Sequence, residues 1–146
     1  MRRSIARMRT YLVPYVAALV VLLALDGLWL GLIAIDWYRA GIGHLMAENV
    51  NVVAAAVFYL LFPIGVVVFA VMPARDAWHA ARLGGLLGFL CYATYDLTNL
   101  ATLKGWPVGI AVADVAWGTL VGMLSAGLAR WVTVRLKSEV QHLANR

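Results

Sequence analysis

Four apolar runs dominate the sequence, and each is about as long as a helix that crosses a membrane. Such a helix needs about 20 mostly apolar residues. The predicted spans cover about residues 11–35, 52–72, 83–103 and 108–132. The runs are continuous and lack the alternation of a membrane β-strand, and the connections between them are too short for a soluble domain. The sequence therefore predicts an all-α integral membrane four-helix bundle, with residues 1–146 as a single domain.

The composition excludes an ordinary soluble domain. Hydrophobic residues make up 64% of the 146 residues and charged residues 13%, and the mean hydropathy is +0.84. Soluble domains contain roughly 45–50% apolar and about 25% charged residues. Cys91 is the single cysteine, so neither an intramolecular disulfide nor a cysteine-based metal site is expected. We expect no cofactor and no metal.

The basic residues are distributed unevenly between the two sides of the predicted bundle. Ten of the 12 Lys and Arg residues lie at the chain ends or in the second connection: Arg2, Arg3, Arg7, Arg9, Arg75, Arg82, Arg130, Arg135, Lys137 and Arg146. Only Arg39 and Lys104 lie on the other side. The positive-inside rule makes both termini cytoplasmic, which predicts a multi-pass protein of the bacterial inner membrane. The net charge of +5 fits attraction to anionic lipid headgroups, and no nucleic-acid partner is expected.

Three of the predicted spans contain an aspartate: Asp26, Asp96 and Asp114. An aspartate at the centre of a spanning helix costs roughly 2.5–3.5 kcal/mol on insertion scales, so these side chains should face the interior of the bundle. With a rise of about 1.5 Å per residue, all three lie roughly 9–13 Å below the outer ends of their helices. This common depth predicts one shared polar site.

Aromatic and polar residues accompany these acids at helical spacing. Trp29 and Trp117 follow their aspartates at i+3, which places each pair on one helix face. The predicted ligand-binding residues are Asp26, Trp29, Asn51, Tyr92, Tyr95, Asp96, Asn99, Asp114 and Trp117. Such groups can also hydrogen-bond to one another and fix the helix register, but acids inside a membrane are typical of functional sites. No catalytic residue is identified.

Other features of the sequence bear on packing. Four tryptophans lie at predicted span ends and are interpreted as interface anchors: Trp37, Trp78, Trp106 and Trp131. Residues 36–48 form either a short amphipathic helix on the outer surface or an ordered loop. Glycines four residues apart occur in three spans and are expected to pack mainly within the chain: Gly27 and Gly31, Gly84 and Gly88, and Gly118 and Gly122.

The order of these motifs resembles a family of bacterial predicted membrane proteins, domain of unknown function 2177. The matching segments are Leu25-Asp26, Trp29-Leu30-Gly31, Phe58-Tyr59-Leu60, Thr94 to Thr102, Gly105-Trp106-Pro107 and Asp114 to Gly118. The run from Tyr95 to Thr102 is the most specific of them. The resemblance covers nearly the whole chain except the basic tails. It implies a bacterial membrane protein and assigns no catalytic residue.

Three functions are compatible with these features. The first is the binding or transport of a cation or a small protonatable or amphipathic ligand, at a site open to the outer side. The second is an integral membrane enzyme acting on a lipid or isoprenoid, with Asp96 and Asp114 dividing the acid and base roles. The third is an accessory subunit of a membrane complex. Membrane lipids are expected partners in each case, and a transporter this small is expected to be a homodimer.

Overall fold

The computed structural model describes residues 2–144, and side chains from 10 to 143. Every regular element in this part of the chain is helical, which confirms the all-α prediction. The α-helices are α1 (Arg2–Leu28), α2 (Ile35–Ile42), α3 (Val52–Gly65), α4 (Ala77–Thr102) and α5 (Val108–Ala144). Two π-helical turns, Trp29–Ile33 and Val66–Val71, extend α1 and α3, and the 3₁₀ turn Gly43–Leu45 follows α2. Five of the ten basic residues that predict cytoplasmic termini have side chains outside the described part of the chain: Arg2, Arg3, Arg7, Arg9 and Arg146.

Three helical segments are long and apolar enough to cross a membrane. They are Thr10–Ile33, Val52–Val71 and Val108–Leu143. Helix α4 has 26 residues, which gives a length of roughly 39 Å, but it is not among the three because it is less apolar. Tyr92, Tyr95, Asp96 and Asn99 lower its hydropathy. Length and composition therefore support three of the four predicted spans within the described residues.

Helices α4 and α5 pack closely through their glycines. A Cβ atom added to Gly84 would collide with the carbonyl oxygen of Gly122, and one added to Gly88 with that of Gly118. The paired positions run in opposite directions, so the two helices are antiparallel. This confirms the expected packing of four of the glycines. The same expectation is wrong for Gly27 and Gly31, because a Cβ at either would meet nothing within 4 Å.

The core on the Arg75 side of the bundle is built from small residues. It comprises Ala18, Val66, Ala70, Val71, Ala74, Ala80, Ala126 and Ala129. The π-helical turn Val66–Val71 belongs to this core. The start of α3 is far less covered, since Val52 and Val53 are 73% and 74% exposed. A cavity lies toward this end of the bundle, beside Asp26 and Asp114.

The connection after α1 is helical, as the first of the two alternatives predicts. Helix α2 packs against the start of α5, where a Cβ on Gly41 would collide with the side chain of Ile110. It thereby brings Tyr38 to the bundle interior. Helix α3 then begins at an N-cap, where Asn51 accepts a hydrogen bond from the Ala54 N–H at 3.0 Å.

Candidate functional site

The three aspartates of the predicted spans are all buried. Asp26 on α1 is 4% exposed, Asp96 on α4 is 0% exposed, and Asp114 on α5 is 7% exposed. Each accepts a hydrogen bond at Oδ1 from an aromatic side chain. The site is thus built of carboxyls whose protein partners are indoles and phenols rather than basic groups.

Asp26 connects three helices. The Trp117 Nε1–H of α5 donates to Asp26 Oδ1 at 3.0 Å, and the hydroxyl of Tyr59 on α3 also interacts with this carboxyl. The indole of Trp117 stacks on that of Trp29, with ring centroids 4.5 Å apart and planes at 9°. One face of each indole is therefore covered by the other, and this pair joins α1 to α5.

Asp114 lies at the end of a hydrogen-bonded chain. The Trp29 Nε1–H donates to the Tyr38 hydroxyl at 3.2 Å, and this hydroxyl donates to Asp114 Oδ1. Burial, followed by the hydrogen bond to Asp114, raises the pKa of Tyr38. Tyr38 therefore stays a neutral donor at physiological pH. The chain holds α2 against the bundle.

These groups surround a cavity of about 400 Å³. Ten residues line it: Asp26, Trp29, Leu30, Tyr38, Ala55, Phe58, Tyr59, Tyr92, Asp114 and Trp117. None of them is Lys, Arg or His. Tyr92 packs its ring against Gly118, and this glycine makes room for the phenol between α4 and α5. Two carboxyls and a wall rich in aromatic rings thus face one partly open cavity.

Asp96 lies outside the cavity lining. The Trp106 Nε1–H donates to Asp96 Oδ1 at 3.3 Å, while the buried Oδ2 has no hydrogen-bond partner among the described residues. Asp96 still interacts electrostatically with Asp114. The structure thus brings Asp26 and Asp114 to one cavity and places Asp96 beside it.

The remaining predicted site residues occupy different positions. Tyr95 is 55% exposed and packs edge-on against Trp106, with ring centroids 5.8 Å apart. The side chain of Asn99 interacts with that of Tyr95. Asn51 is exposed and serves as the N-cap of α3. These three do not line the cavity.

Sequence reasoning missed five residues of the cavity lining, Leu30, Tyr38, Ala55, Phe58 and Tyr59, and also Trp106, which donates to Asp96. Tyr59 carries a hydroxyl within an otherwise apolar run, and this isolated polar group is a signal in the sequence for an inward-facing position. The sequence predicts Trp106 only as an interface anchor and Tyr38 only as part of a surface connection. Nothing in their spacing indicates that they fold back onto Asp96 and Asp114.

The chemistry of the site fits an uncharged or cationic occupant. Within residues 10–143, no group of three or more His, Cys, Asp or Glu side chains is arranged to hold a metal ion. The cavity instead offers carboxyl oxygens beside aromatic faces. Aromatic faces attract cations, and carboxylates accept hydrogen bonds from protonated amines.

Comparison with known proteins identifies the family. The family model for DUF2177, a predicted membrane protein, matches residues 11–131. No curated protein and no solved structure matches the chain. The match includes all three aspartates and the residues that form the cavity. It covers more than half of the chain, so this protein belongs to DUF2177, a family of predicted membrane proteins.

Proposed function

We propose that this membrane protein binds a small organic cation, such as a protonated amine or a quaternary ammonium ion, in the cavity between Asp26 and Asp114. The observation that carries this proposal is the pairing of two buried carboxyls in one cavity whose lining has no basic side chain. An ionised carboxylate in a low-dielectric interior is costly unless it is paired with a positive charge. A cation entering the cavity supplies that charge.

The lining favours an organic cation over a metal ion. Hard metal ions such as Ca²⁺ take six to eight oxygen ligands, whereas most of the wall consists of aromatic and aliphatic side chains. An alkylammonium ion gains from contact with the rings of Phe58, Tyr59 and Tyr92. Its apolar substituents also leave water, which adds to the free energy of binding. A cavity of about 400 Å³ falls within the range of small-molecule sites.

The proposed setting is a bundle of four spanning helices, with both termini cytoplasmic, in a bacterial inner membrane. Helix α4 packs antiparallel along α5 through the glycine contacts, and α5 qualifies as a span. A helix lying against a spanning helix over this length shares its membrane environment. The uneven distribution of basic residues supports the orientation, and the cavity then lies toward the outer side.

Cysteine labelling on intact cells tests this orientation. Cys91 is exposed and is first replaced by Ser. Single cysteines are then introduced at Lys104 and at Arg75, both of which are exposed. A membrane-impermeant thiol reagent should label the Lys104 variant and spare the Arg75 variant. Labelling of the Arg75 variant alone would overturn the orientation.

Binding is tested with tetramethylammonium chloride on the purified protein in detergent. Tetramethylammonium should raise the thermal unfolding temperature above that seen with sodium chloride at equal ionic strength, because a ligand that binds only the folded state stabilises it. Asp26→Asn and Asp114→Asn should each weaken binding at least about tenfold, as expected when one partner of a buried charge pair is removed. Asp36→Asn, at an exposed position outside the cavity, is the control and should bind like the wild type. Equal stabilisation by the two salts would show that the cavity is not a cation site.

A further inference from the structure

Asp96 is a buried acid that the proposed cation cavity does not use. It is 0% exposed and does not line the cavity. Its Oδ1 accepts one long hydrogen bond, 3.3 Å from Trp106 Nε1. Its Oδ2 is buried and has no hydrogen-bond partner among residues 10–143. This carboxyl thus has little in the protein to stabilise a negative charge.

The other two aspartates are better supplied with donors. Asp26 accepts from Trp117 at 3.0 Å and also interacts with the Tyr59 hydroxyl. Asp114 accepts from Tyr38, whose own oxygen accepts from Trp29. Hydrogen bonds to a carboxylate favour its charged form. Among the three acids, Asp96 is therefore the one whose surroundings are least suited to an ionised carboxylate.

No positive group faces Asp96 from the described elements that surround it. The titratable groups near it are Tyr38 from α2, Tyr95 from its own helix and Asp114 from α5. Trp106 covers it from the connection between α4 and α5. Two of these neighbours are neutral phenols and one is another acid. A proton on Asp96 removes both the buried charge and its repulsion with Asp114.

We propose that Asp96 is a proton-binding site separate from the cation cavity, and that a cation entering the cavity releases the proton from Asp96. This inference rests on the proposed function. A positive charge beside Asp114 also attracts the negative charge of the neighbouring Asp96 carboxylate and so stabilises its ionised form. The carboxyl O–H bond then breaks, the electron pair stays on Asp96, and the proton passes to water or buffer. Because coupling between two binding sites is reciprocal, protonation of Asp96 weakens cation binding by the same factor.

The proton on Asp96 is tested without any cation, by infrared spectroscopy of the purified protein at neutral pH. The wild type should show the C=O stretching band of a protonated carboxylic acid, and Asp96→Asn should lose that band. Trp106→Phe keeps the carboxyl and removes its one hydrogen bond, so the band should remain and change frequency. If Asp96→Asn does not fold, the frequency change in Trp106→Phe shows whether the band belongs to Asp96. A band unchanged in both variants, or absent from the wild type, would overturn the proton site.

The coupling is tested by calorimetric titration with tetramethylammonium chloride in buffers that differ in ionisation enthalpy. The wild type and the Asp36→Asn control should release protons on binding, and Asp96→Asn should bind while releasing about one proton fewer. Equal proton release by Asp96→Asn and the wild type would overturn the coupling. If the wild type binds no tetramethylammonium, the proposed function and the coupling both fail. The infrared result still decides whether Asp96 holds a proton.

Discussion

Trp117 and Asp26 are 91 residues apart in the chain, and the indole Nε1–H of Trp117 donates to Asp26 Oδ1 at 3.0 Å. This bond joins α5 to α1 beside the stacked indoles of Trp29 and Trp117. One tryptophan therefore closes the bundle around the cavity and orients one of its carboxyls. The same Trp117 side chain therefore packs against Trp29 and donates to a carboxyl of the cavity.

Replacing Trp117 with Phe should destabilise the protein. The phenyl ring keeps part of the stack on Trp29, but the buried Asp26 oxygen loses its donor. Leaving a buried acceptor unsatisfied costs about 1–3 kcal/mol. The variant should unfold at a lower temperature and a lower denaturant concentration in detergent than the wild type. Trp78→Phe is the control, since Trp78 is 63% exposed, and equal losses in the two variants would contradict the assigned role.

Replacing Tyr38 with Phe should loosen α2. The hydroxyl connects Trp29 to Asp114, and a hydrogen bond to a charged group contributes about 1.5–3 kcal/mol. Amide hydrogens of α2 should therefore exchange at least about tenfold faster, as measured by hydrogen–deuterium exchange with mass spectrometry. Tyr11→Phe, at a position that is 54% exposed, should leave exchange in α2 unchanged. Unaltered exchange in the Tyr38 variant would show that other contacts hold the helix.

Helical spacing predicted which side of each helix is polar, but not which neighbour each side chain meets. Trp29 and Trp117 do line the cavity with Asp26 and Asp114. Their hydrogen bonds, however, cross between elements, because Asp26 accepts from Trp117 and Trp29 donates to Tyr38. Spacing within one helix defines its faces. The partner depends on the arrangement of the whole bundle, which no single segment encodes.

The connections were harder to predict than the spans. Tyr38 lies on a helix of eight residues, too short for a clear periodic signal. Trp106 follows Gly105, whose φ of +76° lies in the region that favours glycine and turns the chain between α4 and α5. Both aromatics reach buried carboxyls only because these connections fold back. The sequence shows the turn residue but not the direction in which the next side chain points.

The start of α4 should contribute a pH-dependent part of the stability. Asp76 is the N-cap and accepts from the His79 N–H at 2.7 Å, and this hydrogen bond lowers the pKa of the Asp76 carboxyl. A folded-state pKa below the unfolded value of about 3.9 means that the contribution is present above that pH. It is lost as the pH falls through the folded-state pKa.

Asp76→Asn isolates this contribution, because Asn caps a helix about as well as Asp but does not titrate. The unfolding temperature of the wild type should fall relative to that of the variant as the pH is lowered below about 4. At neutral pH the wild type should be the more stable of the two. A constant difference across the whole pH range would mean that the Asp76 carboxyl does not contribute through its charge.

The close contact between α4 and α5 should not tolerate a methyl group at Gly88. A Cβ there collides with the carbonyl oxygen of Gly118, which is backbone and cannot rotate away. The helices must separate, and overpacking of this kind costs about 1–3 kcal/mol. Gly88→Ala should therefore lower the unfolding temperature in detergent. Gly27→Ala is the matched control, because its Cβ meets nothing within 4 Å and alanine favours the helix by roughly 0.5–1 kcal/mol. If the two variants were equally stable, the α4–α5 contact would be looser than the backbone positions indicate.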